Sequence, residues 1–214
     1  MNIAYFTVLS ISFVVAIFIC TQKPNPGRLK WFALFTGIVL TIELGNFYLY
    51  FPLVHHSNHY IFNIESVFEF YFFSWFFYRT LTKKNNKFLI KCFVWIYPLI
   101  LAGSFLTVQE YFSFHTYTYI LGEIYLVILC ILYYHELYHS NDIKPLSSQP
   151  DFWIVTGLFI FSAGELPYMM LLHYLNNNFV VTSFYFREYI LGTLNIAMNA
   201  MFIIGLLCSI QTRK

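Results

Sequence analysis

Runs of about 20 apolar residues recur along the whole chain, separated by short polar connections, and this pattern constrains the fold more than any other. Inside hydrocarbon a backbone must satisfy its own N–H and C=O groups, so each run reads as a transmembrane helix. Seven spans are delimited, over residues 3–20, 29–52, 60–81, 87–107, 115–138, 152–174 and 186–211. The expectation is an all-α, multi-pass membrane protein, a single seven-helix domain over 1–214. Only 10% of residues are charged, against about 25% in soluble domains, so no stretch is left for a soluble domain. No basic face is dense enough to suggest nucleic acid. The first span lacks a basic leader and a cleavage pattern, so it reads as a permanent helix and not a signal peptide.

Charge sets the orientation. Lys23, Arg28, Lys30, Arg79, Lys83, Lys84, Lys87, Lys91, Lys144, Arg213 and Lys214 all fall at one side, and Arg187 alone falls at the other. The N-terminus is therefore expected outside and the C-terminus in the cytoplasm, in a cell (inner) membrane. Cys20, Cys92, Cys130 and Cys208 lie singly in four spans and read as reduced core residues.

Two spans share a layout. Trp31 is followed twelve residues later by Glu43-Leu44, and Trp153 by Glu165-Leu166. A weaker match links Tyr60-Ile61-Phe62-Asn63 to Tyr189-Ile190-Leu191-Gly192. These matches suggest a parallel 3+1+3 repeat, residues 1–82 and 115–211, joined by a linker helix over 87–107. Seven helices in this order, with the N-terminus outside, resemble the SWEET-type sugar transporters in topology. The resemblance implies a site near the midplane, between the repeats. The Pro-Gln pair of the wider PQ-loop group is absent, since spans one and five contain no Pro.

Acids inside membrane spans are costly and mark function. Glu43, Glu65, Glu69, Glu123 and Glu165 lie well within spans, accompanied by the amides Asn46, Asn195 and Asn199. No Lys or Arg shares their depth. They are expected to converge on a ligand pocket that opens outward and takes a small polar or cationic solute, with a proton as a second cargo. Pro167, two residues after Glu165, removes a backbone donor and is expected to make the sixth span a broken or flexible gate.

A different chemistry is offered by His135-Glu136-Leu137-Tyr138-His139, at the inner end of the fifth span. His-Glu-x-x-His on a helix places both imidazoles on one face, able to bind zinc, with Glu136 as general base. The pattern resembles that of zinc metallopeptidases over five residues. Asp142 or Asp151 is the candidate third ligand. His55, His56, His59, His115 and His173 fall at the outer side and read as exposed loop histidines.

Three functions follow. The first is a transporter or solute-binding protein using the acids. The second is a membrane zinc hydrolase using His135, Glu136 and His139. The third is a seven-helix sensor that signals through a separate cytoplasmic partner. A retinal protein is set aside because the last span has no Lys before Lys214, and no Gly-x-Ser-x-Gly or phosphate-binding Gly-rich loop is present.

Overall fold

The computed structural model describes residues 3–21, 27–46, 59–107, 115–140, 145–178 and 187–211. Among these residues there are seven long helices and no strand. They are α1 (Ile3–Thr21), α2 (Trp31–Gly45), α3 (His59–Thr80), α4 (Lys84–Thr107), α5 (Thr116–Tyr138), α6 (Pro150–Asn178) and α7 (Gly192–Gln211). Short 3₁₀ turns at Gly27–Lys30 and Leu146–Ser148 lead into α2 and α6, and a π turn at Arg187–Leu191 leads into α7. Among the described residues five segments are long and apolar enough to cross a membrane: all of α1 and α5, most of α4 and α6, and Tyr189–Ile210, which runs from the π turn into α7. The described part of α2 is only 15 residues, and α3 is diluted by Asn63, Glu65 and Glu69.

Burial within α1 shows how apolar helices pack in such a setting. Tyr5, Leu9, Ser12, Ala16 and Ile19 are buried; their alternating spacing of four and three keeps them on one stripe. Ile3, Ile11, Val14, Ile17 and Phe18 are exposed on the remaining surface. An apolar exterior of this kind suits lipid and would be a liability in water.

Neighbouring helices close a ring. α1 packs on α2 and α7, α2 on α3, α3 on α5, α5 on α6, and α6 on α7. α4 packs on α3 and α5 from outside the ring, and its Phe88, Trp95 and Leu99 are largely exposed. At the α6–α7 seam small residues let the backbones approach. A methyl added at Gly157 would lie 2.8 Å from Met201 Cβ and 3.0 Å from the Met198 carbonyl oxygen.

We call the end carrying Arg28, Lys30, Lys83 and Lys84 the basic end. The half of the ring nearest it is filled with phenylalanine. Phe32 of α2 meets Phe72 and Phe76 of α3 at ring-centre distances of 5.3 and 5.6 Å, and Phe202 of α7 at 5.5 Å, all edge-to-face. Phe35 stacks on Phe72 at 4.3 Å. Edge-to-face and offset pairs are the favoured aromatic geometries, and Phe32, Phe73, Phe76 and Phe202 are fully buried.

Candidate functional site: a line of glutamates across the ring

Four helices of the ring bring the five expected acids into one connected line, and α1 adds a tyrosine. The Tyr5 hydroxyl of α1 donates to Glu43 Oε1 of α2 at 3.0 Å. Glu43, Glu65 and Glu69 are all within electrostatic reach of Tyr5, and Glu43 and Glu69 are within reach of Glu65. Glu69 of α3 in turn feels Glu123 of α5. The Tyr119 hydroxyl of α5 donates to Glu165 Oε2 of α6 at 2.9 Å and lies near Glu69 and Glu123 as well.

Burial deepens along the line. Glu43, Glu65 and Glu69 are half-buried, whereas Glu123 is 0% and Glu165 2% exposed. Ser162 and Tyr119 are polar neighbours of Glu123, yet no hydrogen bond of normal geometry reaches either of its oxygens. Ser162 Oγ is likewise buried without such a bond. The sequence match pairs Glu43 with Glu165; in the structure they stand at opposite ends of the line, with Glu65, Glu69 and Glu123 between.

The amides behave differently. Asn46 closes α2 with its backbone N–H, while among the described residues neither polar atom of its buried side chain has a hydrogen-bond partner. Asn195 and Asn199 donate their amide nitrogens back to Leu191 and Asn195 carbonyls of their own helix, each at 3.0 Å. Tyr5 and Tyr119 are the functional candidates that the acid pattern alone did not single out; Tyr5 is the polar break in the buried stripe of α1.

The expected break at Pro167 does not occur. α6 runs as one helix from Pro150 to Asn178, and Pro167 sits on its exposed side. Transmembrane helices tolerate proline where local adjustment re-satisfies the freed carbonyl.

At the basic end the acid of the His-Glu-x-x-His run is held by the corner between α3 and α4. The Glu136 carboxylate accepts four bonds: from Thr82 N and Thr82 Oγ1 at 2.7 Å each, Asn86 Nδ2 at 2.6 Å, and Lys83 N at 3.1 Å. It is thus a cap, supplied from α5, for the unpaired N–H groups where α4 begins. His139 Nδ1 lies 2.8 Å from the His135 carbonyl oxygen, and His135 Nδ1 lies 3.5 Å from Lys83 Nζ. Asp151, a candidate zinc ligand, forms an ion pair with Arg28 instead. It lies within the first turn of α6. Among the described residues no three His, Cys, Asp or Glu are grouped as metal ligands would be, and Asp142 lies outside the described residues.

His115 is not an exposed loop residue. It is 2% exposed and heads α5, its backbone N–H donating to Asn63 Oδ1 at 3.0 Å and its Nδ1 lying 3.2 Å from Ser104 Oγ. Its burial follows from joining the starts of α3 and α5 to the far end of α4. His55 and His56 lie outside the described residues, as do the side chains of His59 and His173. The four cysteines are free thiols.

The geometry is the whole basis for a functional reading, because the chain matches no family model, no curated protein and no solved structure.

Proposed function

We propose that the protein binds a small polar or cationic solute in the acidic line and carries it across the membrane. One observation carries this reading: glutamates from α2, α3, α5 and α6 converge on one internal series instead of dispersing to separate helix ends. Intramembrane acids that served only as interhelical glue would need one partner each. Here Glu65 lies within electrostatic reach of both Glu43 and Glu69, an arrangement that favours a positive or strongly donating guest.

With the basic end in the cytoplasm, the solute enters from outside, at the half-buried Glu43, Glu65 and Glu69. The phenylalanines around Phe32 close the other half. The two halves that would move are residues 1–82 and 115–211, with α4 as their tether; the ring's α1–α7 and α3–α5 seams lie where these halves meet.

A thermal-shift panel on detergent-purified protein tests the reading, using choline, putrescine, arginine and glucose as probes. At least one should stabilise the wild type. The stabilisation should vanish in Glu65→Gln and Glu69→Gln and persist in Glu136→Gln. Uptake of that solute into proteoliposomes should then fail in Glu43→Gln and Glu165→Gln. Equal stabilisation of wild type and both α3 variants would remove the acids from the binding site.

A further inference from the structure

The Arg28–Asp151 ion pair joins two parts of the chain 123 residues apart. Arg28 belongs to the turn before α2, and Asp151 to the first turn of α6. Both side chains are mostly sheltered, at 34% and 21% exposure. The guanidinium also lies over the Phe76 ring, 5.9 Å from its centre, and Phe76 packs on Phe32. The pair thus sits on the basic-end side of the phenylalanine fill. Tyr133 of α5 feels both charges.

Surface ion pairs are worth little, and most basic residues at this end are explained by orientation alone. Arg28 differs in its partner, an acid on the opposite half of the ring; like Lys30, Lys87 and Lys91, it also lies over an aromatic ring. We propose that Arg28 and Asp151, seated on Phe76, form the latch that closes the solute pathway at the basic end. Separation of the two three-helix halves would break the pair, withdraw Phe202 from Phe32, and open the route toward Glu123. The use assigned to the latch rests on the transport reading; its effect on closure can be measured without any solute.

Cys130 provides the reporter. Glu123, Cys130 and Tyr133 share one face of α5, all buried. Cys130 is therefore a thiol lying between the acids and the latch. In a variant with Cys20, Cys92 and Cys208 replaced by Ser, Cys130 is labelled in inside-out vesicles with a small, membrane-impermeant cationic thiol reagent. Labelling should be slow with the latch intact and rise about tenfold in Arg28→Ala and in Asp151→Asn, the population change expected for losing a sheltered charged hydrogen bond. The exchange Arg28→Asp with Asp151→Arg should restore slow labelling, which general loosening would not allow. Equal rates in wild type and single variants, or an exchange variant as fast as the singles, overturns the latch. A null solute panel with latch-dependent labelling would discard the transport reading and keep the closure.

Discussion

Around Phe32 four phenylalanine rings from three helices meet at favourable angles with nothing exposed. Around Glu69 the carboxylates form a chain of neighbours, Glu43 to Glu65 to Glu69 to Glu123, and among the described residues Glu123 has no well-formed hydrogen bond. Both groups lie inside the same ring and share α2 and α3. The first satisfies every packing preference of its residues. The second opposes them, since like charges repel and buried carboxyls need donors. Regions that break local rules inside an otherwise consistent fold are where function is expected. Favourable packing and charge repulsion are therefore divided lengthwise along the ring, and mutations at the two ends should change sign.

The largest effect should come from the aromatic end. Lipid is as apolar as a protein core, so Phe32→Ala loses mainly packing. A hole of roughly 100 Å³ at about 24 cal/mol per Å³ costs about 2 kcal/mol, read as a lowered midpoint of thermal unfolding in detergent. The Glu136 cap comes next. Glu136→Ala orphans the N–H groups of Thr82 and Lys83 and should cost about 1–2 kcal/mol in the same measurement, while Glu136→Gln, which keeps an acceptor, should lose less. Unchanged stability in Glu136→Ala would return this carboxylate to a chemical role. The smallest change should have the opposite sign. Glu65→Gln keeps the shape and removes the repulsion from Glu43 and Glu69, so it should leave stability equal or raise it by less than about 1 kcal/mol. A marked loss there would erase the contrast between the two ends.

Much of this was legible in the residues. Apolar run length marked the seven helices, five of which are, among the described residues, long and apolar enough to cross a membrane, and the cost of a lone intramembrane acid is what made Glu43, Glu65, Glu69, Glu123 and Glu165 stand out. The aromatic fill was not legible, because a phenylalanine facing lipid and one facing a core have the same hydropathy. Phe32 and Phe88 look alike in sequence, yet one is fully buried and the other largely exposed. The role of Glu136 was hidden because its donors, Thr82 and Asn86, lie 54 and 50 residues away. A five-residue motif reports spacing along one helix and says nothing of what the neighbouring helix offers. Pro167 interrupts one backbone hydrogen bond without breaking α6, because a continuous helix can absorb its local penalty.

The Glu136 cap also has a consequence in time. The start of α4 is synthesised 50 residues before the carboxylate that receives Asn86. At about 5–20 residues per second the interval is roughly 3–10 s. Through that interval the α3–α4 corner has its donors open to water or headgroups, and it is fastened only when the end of α5 emerges. The hairpin of α3 and α4 is thus left adjustable during insertion and fixed afterwards, so the order of assembly is written into a single side chain.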